Sequence, residues 1–500
     1  MNKVILVILD GWGYRKEKKY NAIASAHTPN FNKFWKNYPH AILKASGEAI
    51  GLPEGQIGTS EANHLIIGSG RILFQNLMRI NRAIQSGALS KNEAINEAFE
   101  HVKKHNSTLH VKGIVSPGGV HGHTDHIKAI VKAAKEAGVK HIMLHLFTDG
   151  RDVLPKSAMD YIKDMELFLK TIGVGRISTI GGRYWAMDRD QNLDRTEKHF
   201  RVMVIGDGPR FKSAIEVIDD AYRKGITDEF IDPSLIETEE GEIGTVQAND
   251  AMISTIFRAD RAKQLTRRFL KEGIKNLKYV SFTRYAQDID VRVAFPPEEI
   301  KNTLSNVLSK NKISQLRVTE TEKYNHLTFF FNAQNEKPDS FEDRIMIPSD
   351  KTVKTYDEKP EMEVLTIAKT IVDDLSNRKH SFIATNLVNA DMVGHTGNFA
   401  AIIKAVEAVD KAIGIIIEAA QRVGADVIIT ADHGNAEETY DELKNQPITA
   451  HTLNPVPFIL ISNKYKKINH KVGSLSDIAP TILKLFGIKP PPEMTGKSFL

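Results

Sequence analysis

The chain has 500 residues, 41% of them hydrophobic and 26% charged, with a formal net charge of +5. That length exceeds one ordinary domain and the composition is globular, so two or three domains with full cores are expected. Cysteine is absent, which excludes disulfides and thiolate metal ligands and suits a reducing compartment; no run approaches the ~18 apolar residues of a membrane span, and no Lys/Arg block marks a nucleic-acid face.

Residues 3–9 form an apolar run of the kind that makes a strand covered on both faces of an α/β sheet. The run is too short for a signal peptide and ends in Asp10-Gly11-Trp12-Gly13. Open α/β sheets keep their chemistry at the C-terminal ends of strands, so Asp10 is a candidate site residue, against the alternative of a turn-forming aspartate. Residues 30–38 read as a helix with Phe31, Phe34 and Trp35 in the core. The segment 51–70 carries five glycines and Pro53. Thr59 or Ser60 can cap a helix there, with Glu61 in its first turn. The free N–H groups of such a turn hold anions, and a hydroxyl in that place could take up a phosphoryl group. Residues 71–84 and 94–104 read as further helices.

A second α/β unit starts near residue 109. Strands at 109–116, 141–147, 177–180 and 277–282 alternate with helices at 127–137, 157–169 and about 257–270. Its loops and helix starts collect Arg151, Asp152, Arg183, Arg189, Arg258 and Arg261. Guanidinium groups match phosphate and carboxylate bidentately, with surface ion pairing as the competing reading. Asp152 beside Arg151 is a candidate proton carrier. His121, His123 and His126 resemble a metal-binding tract, but lie in this arginine-rich region.

The last part is α/β again. A strand is expected at 324–331, a helix at 363–375, and a strand at 381–386 leading to Asp391 and His395. A helix at 399–423, closed by Gly424, precedes a strand at 426–430 that ends in Asp432-His433. His451 stands before a strand at 455–461, a helix follows at 477–486, and the proline-containing tail from 489 is expected to cover the surface. Asp10, Ser60, Asp391, His395, Asp432, His433 and His451 make seven candidate donors, enough for two metal ions. Carboxylate and imidazole without thiolate suit Mn²⁺ or Zn²⁺. No single pair is specific; the joint pattern is.

Nine segments together resemble the cofactor-independent phosphoglycerate mutases of the alkaline-phosphatase superfamily, over essentially the whole chain. They are Leu9-Asp10-Gly11-Trp12-Gly13, Gly51-Leu52-Pro53-Glu54-Gly55-Gln56, Gly119-Val120-His121-Gly122-His123, Asp149-Gly150-Arg151-Asp152, Gly182-Arg183-Tyr184 with Met187-Asp188-Arg189-Asp190, Glu320-Thr321-Glu322-Lys323-Tyr324, Asp391-Met392-Val393-Gly394-His395-Thr396-Gly397, Thr430-Ala431-Asp432-His433-Gly434-Asn435, and His451-Thr452-Leu453-Asn454-Pro455-Val456-Pro457.

The resemblance implies an alkaline-phosphatase-like three-layer α/β domain, residues 1–75 and 306–500, interrupted by an inserted α/β phosphotransferase domain, residues 76–305. It implies Ser60 as phosphoryl acceptor and Lys323 beside it. Asp10, Ser60, Asp432 and His433 would hold one Mn²⁺, and Asp391, His395 and His451 the other, with Zn²⁺ or Co²⁺ as alternatives. His121, Arg151, Asp152, Arg183, Arg189, Arg258, Arg261 and Lys323 would bind a small phosphorylated three-carbon acid. The implied reaction interconverts 3- and 2-phosphoglycerate in glycolysis and gluconeogenesis without 2,3-bisphosphoglycerate. The expected protein is a cytoplasmic monomer that binds neither nucleic acid nor membrane. Two segments depart from the family pattern. Thr59-Ser60-Glu61-Ala62-Asn63-His64 replaces Asn-Ser-Glu-Val-Gly-His, and Ser116-Pro117-Gly118-Gly119-Val120-His121 replaces Ser-Asp-Gly-Gly-Val-His. Asn63 matters most if its backbone is left-handed. The alternatives are a metal-dependent phosphohydrolase or phosphopentomutase of the same superfamily, and an inactive metal-binding relative.

Overall fold

The structure, a computed structural model, describes residues 2–377 and 379–500. The chain forms two compact units, 1–74 with 299–500 and 75–298, each built on its own sheet. Residues 299–305 therefore lie with the outer unit, and Gln75 with the insert.

In the outer unit the apolar run becomes the strand Val4–Leu9, buried at every position. It pairs in parallel with Phe382–Leu387 on one side and Asp426–Thr430 on the other. The sheet runs Glu342–Ile347, Gln315–Glu320, Phe382–Leu387, Val4–Leu9, Asp426–Thr430, Val456–Ile461, His40–Lys44, Val472–Ser474. Val456–Ile461 is antiparallel to both of its neighbours, while the strands before it pair in parallel. Parallel pairing brings the C-terminal ends of four adjacent strands to one edge, where they release Lys323, Asp391, Asp10 and Asp432. The antiparallel strand brings its N-terminal end there, and with it His451. The helix Phe399–Val423 spends its apolar stripe on this sheet, burying Ile402, Val406, Val409, Ile413, Ile416 and Ala420. Asn398 caps its start by accepting from Ala401 N at 3.3 Å, and Gly424 ends it at φ 72°.

Several expectations are corrected. Residues 324–331 are not a strand; His326–Phe330 is a helical turn, and Leu327, Thr328 and Phe331 are its buried positions. Those positions fit a helical stripe, not an alternation of two. The neighbouring strand is Gln315–Glu320, buried throughout although four of its six residues are polar. Arg317 is buried there because its guanidinium donates to Ser305 Oγ (2.8 Å) and Gln315 Oε1 (2.9 Å), between the rings of Phe331 and Phe382. The helix expected from residue 71 begins only at Asn76. The C-terminal tail lies largely at the surface, as expected, but is pinned into the core at Met494 and Phe499. Phe499 is fully buried, stacks on Phe458 at 4.2 Å and on His470 at 4.1 Å, and donates its N–H to Thr481 Oγ1 at 3.0 Å.

The insert's sheet runs Arg292–Val293, Lys278–Ser281, Ala251–Ser254, Leu109–Ile114, Ile142–Thr148, Arg176–Gly182, Ser234–Ile236, Arg210–Phe211. The first six pair in parallel. Its core holds an unexpected polar belt. Lys112 pairs in register with His145, and His145 with Thr179. His145 bonds His110 at 2.9 Å and Thr179 Oγ1 at 2.8 Å, while His110 reaches Asp250 at 3.1 Å. Lys112 has no ion pair among the described residues, and its ammonium position lies 5.8 and 5.7 Å from the ring centres of Phe269 and Tyr279.

Burial pushes the Lys112 amine down to about 7. The unfolded chain, with the usual lysine value of 10.5, then takes up this proton first as pH falls. Stability is therefore lost between pH 10.5 and about 7, by up to about 1.4 kcal/mol per pH unit, and levels off below. Lys112→Met should flatten that slope in denaturant titrations at pH 7 and 9.5, and raise the midpoint at pH 7. An unchanged slope would refute it.

Among the described residues, no helix is long and apolar enough to cross a membrane.

Candidate active site

The outer unit's site begins with its strand ends. Asp10 follows Leu9, and its N–H donates to Leu387 O at 3.1 Å. Gly11 turns the chain at φ 74°, where a Cβ would lie 2.7 Å from the Asp391 backbone, so this turn admits only glycine without displacement. That close approach sets Asp10 beside Asp391.

The helix Ser60–Ser69 starts with Thr59 as N-cap, its hydroxyl oxygen accepting from Ala62 N at 3.3 Å. Ser60 thus stands in the first turn, buried. Its Oγ accepts from Lys323 Nζ at 2.7 Å and lies 2.8 Å from His433 Nε2. Lys323 also donates to Asp391 Oδ2 at 2.7 Å and Asp10 Oδ1 at 3.0 Å. Burial opposes its charge, but Asp10, Asp391 and Asp432 hold the ammonium above the usual lysine range.

Three carboxylates, of Asp10, Asp391 and Asp432, are buried here. Burial, and then the charge of Asp432, raise the Asp10 carboxyl well above its ordinary value. Burial opposes ionisation of Asp391 too, yet Lys323 and a hydrogen bond from His395 hold it well below. His395 and His451 present Nε2 to Asp391 Oδ1 at 3.3 and 3.2 Å. Their Nδ1 atoms meet backbone carbonyls, of Thr449 at 2.6 Å and Gly58 at 2.9 Å. A carbonyl only accepts, so each Nδ1 carries a proton, and Nε2 is the atom left to face the site. The His433 and His451 rings stack at 3.6 Å.

Three sets of donors have one ligand atom each within 4.8 Å of the others: Asp391, His395 and His451; Asp10, Asp391 and His433; Asp10, His64 and Asp432. Three buried carboxylates, of Asp10, Asp391 and Asp432, converge here beside Lys323, His395 and His451. Asp432 Oδ2 is buried without a hydrogen-bond partner. A pocket with carboxylate and imidazole donors in reach of one another and a carboxylate oxygen without a hydrogen-bond partner fits divalent cations.

Several supporting residues carry no role in the sequence reading. His64, one turn after Ser60, donates from Nδ1 to Ser60 O at 2.9 Å and accepts at Nε2 from Asn386 at 3.0 Å. Burial pushes its ring down to about 3, so it is neutral. The same Asn386 amide donates to Asp10 Oδ2 at 2.7 Å. Asn435 reaches Asp391 Oδ1 at 3.3 Å, and buried Glu437 accepts from Gly13 N and Asn435 N. The i, i+4 spacing of Ser60 and His64 was the available signal; Asn386 offers none, because its partners are remote in sequence.

The insert gathers its own set at the C-terminal ends of adjacent strands. Arg183 is buried and donates to Asp149 Oδ1 at 2.7 Å, to Asp152 Oδ2 at 2.5 Å and to His121 Nε2 at 2.6 Å. His121 Nε2 also stands 3.2 Å from Asp152 Oδ2. Burial, and then Arg183, push the His121 ring down to about 4. Arg189 and Arg258 meet at Asp260, at 3.0 and 3.2 Å, and Arg261 donates to Met187 O at 3.2 Å. Burial lowers the Arg261 guanidinium, helped by the neighbouring cations Arg189, Arg183 and Arg151 and opposed by Asp260. Arg151 is more than half exposed and reaches Glu229 at 3.5 Å. Asp149, Asp188 and Asp260 are the anchors the sequence reading left without roles. Asp188 accepts from Asp190 N, Asn192, Arg195 and Gln264, which fixes the loop that carries Arg189.

The histidine tract does not converge. His123 caps the helix Thr124–Glu136 through Asp125 N, and His126 is buried against Phe257 and Phe282 with Nε2 on Asn81 at 2.8 Å. Pro117 leaves the loop shape to Ser116, whose Oγ accepts from Gly118 N at 3.0 Å.

The profile of the metalloenzyme superfamily matches residues 2–490. The 2,3-bisphosphoglycerate-independent phosphoglycerate mutase of Clostridium botulinum (strain Langeland) is 46% identical over 506 residues, covering 99% of each chain. The corresponding mutase 1 of Methanosarcina acetivorans is 48% identical over 508 residues, covering 99% of this chain and 98% of that one. Among solved structures, a phosphoglycerate mutase of Leishmania mexicana, determined at low cobalt concentration, matches with TM-score 0.54 and 29% identity across 100% of this chain and 97% of that one. With near-complete coverage at this identity, the chain belongs to the 2,3-bisphosphoglycerate-independent phosphoglycerate mutases of the metalloenzyme superfamily.

Proposed function

We propose that the chain interconverts 3-phosphoglycerate and 2-phosphoglycerate through a phosphoserine at Ser60. The observation that carries the reading is a buried hydroxyl held between Lys323 Nζ at 2.7 Å and His433 Nε2 at 2.8 Å, in a pocket of three carboxylates. Such surroundings favour the alkoxide, which is the nucleophilic form.

Asp10, Ser60, Asp432 and His433 would hold one divalent cation and Asp391, His395 and His451 the other, Mn²⁺ or alternatively Zn²⁺ or Co²⁺, which would supply phosphoryl polarisation and charge neutralisation. Ser60 Oγ bonds to phosphorus as the P–O bond to glycerate breaks. Lys323 remains protonated and balances charge on the transferred group. In the insert, Arg183 keeps the Asp152 carboxyl oriented. Asp152 gives a proton to the departing glycerate oxygen and accepts one from the other hydroxyl when the phosphoryl group returns. Neutral His121 and the guanidiniums of Arg151, Arg189, Arg258 and Arg261 bind the carboxylate and phosphate of the three-carbon acid. No bisphosphoglycerate enters, because the same serine carries the phosphoryl group both ways.

The test is incubation of the protein with 3-phosphoglycerate and Mn²⁺, without 2,3-bisphosphoglycerate. Formation of 2-phosphoglycerate with organic phosphate conserved is expected. Stoichiometric release of inorganic phosphate would make the chain a phosphohydrolase instead.

A further inference from the structure

We propose that Asn63 is a positioning residue that fastens the nucleophile helix to the loop of Asp432 and His433, and so tunes one of the two cation sites. This rests on the two-cation reading above. Asn63 stands where the family pattern has glycine. The structure places it inside the helix Ser60–Ser69, so its backbone is helical and not left-handed. It is fully buried, and its side-chain amide donates in two directions, to Ala45 O at 3.2 Å and to Asp432 O at 2.7 Å.

Ser60 lies one turn earlier on the same helix. Asn63 therefore fixes the peptide between Asp432 and His433 relative to Ser60, whose Oγ is 2.8 Å from His433 Nε2. Ala45, the residue after the strand His40–Lys44, accepts from the same amide and so joins the end of that strand to the helix.

Two further observations separate this role from filling space. A Cβ at Gly58 would lie 2.4 Å from both Ala45 O and Asn63 Nδ2, so bare backbone at 58 is what admits the amide. Asn63 Oδ1, by contrast, is buried without a partner. A buried unpartnered acceptor is unfavourable, so an apolar side chain would serve packing better. The two donated hydrogen bonds are what the amide adds. Groups that orient ligands from behind typically change metal affinity 10- to 100-fold when removed.

The experiment titrates Mn²⁺ by calorimetry into the chelator-stripped full chain, as wild type, Asn63→Ala and Asn63→Gly. His395→Ala assigns the two binding steps, and urea midpoints without metal monitor packing. The expected result is two ions on the wild type. In both Asn63 variants, the step belonging to Asp10, Ser60, Asp432 and His433 should weaken about 10- to 100-fold while the other step is unchanged. If Asn63→Ala does not fold, Asn63→Gly, which restores the residue of the family pattern, decides. Wild-type affinity at both steps, or equal weakening of both in line with a lowered urea midpoint, would overturn the proposal. A wild type that takes up no Mn²⁺ would instead overturn the two-cation reading beneath it.

Discussion

Ser60→Ala should lower mutase activity by about 10⁴-fold or more, the scale seen when a catalytic nucleophile is removed. The fold should survive. Thr59 remains the N-cap of the helix Ser60–Ser69, and alanine is a good first-turn residue. The substituted atom is the one that Lys323 and His433 both approach. Without it the phosphoryl group has no acceptor, although the insert's arginines still bind the substrate. Two measurements check this. The coupled mutase assay should fall to background, and acid-stable label should pass from labelled substrate to the wild type but not to the variant. Activity within about tenfold of wild type would defeat the phosphoserine reading.

Removal of divalent cations is expected to have the next largest effect. Asp10, Asp391 and Asp432 are buried together with Lys323 as their neutralising cation. Stripping the cations removes the groups that would polarise the phosphoryl group, so activity should vanish with chelator and return with Mn²⁺. Stability should follow by mass action. A site filled at a hundredfold excess over its dissociation constant adds about 2.7 kcal/mol, which is on the order of 5–10 °C in melting temperature for a domain of this size. Equal melting temperatures with chelator and with excess Mn²⁺ would refute it. Repeating the titration with Zn²⁺ and Co²⁺ ranks the metals by their restored activity.

The fold was legible where side-chain chemistry and local period agree. Residues 399–423 and 426–430 have the bounds that apolar spacing and Gly424 indicate. The reading failed where polar groups are buried by remote partners. Gln315–Glu320 carries no apolar run to mark it as a strand, and its burial depends on Ser305 and the rings of Phe331 and Phe382 around Arg317. The tail is a surface segment, but its anchoring is not legible, because Phe458 and His470, which receive Phe499, are remote from it along the chain. Lys112 would be assigned to solvent by its type, and only the sheet register puts it beside His145 in the core.

The site divides in the same way. Sequence by itself determined which residue types end each strand, because a strand's apolar run and the polar residue after it are local. That is enough to nominate Asp10, Asp391, Asp432 and the insert's arginines. What only the tertiary structure decided is which of them meet. Lys323 and Asp10 are 313 positions apart, and Ser60 and His433 are 373. Parallel pairing brings the carboxyl ends of Gln315–Glu320, Phe382–Leu387, Val4–Leu9 and Asp426–Thr430 to one edge, and burial there gathers separate carboxylates and histidines into one pocket of cation donors. The same folding decided Asn63. In sequence it is a departure from glycine beside the candidate nucleophile; in the helix, with Gly58 bare and two carbonyls in reach, its amide becomes a strap, because hydrogen bonds depend on distance in space and not along the chain.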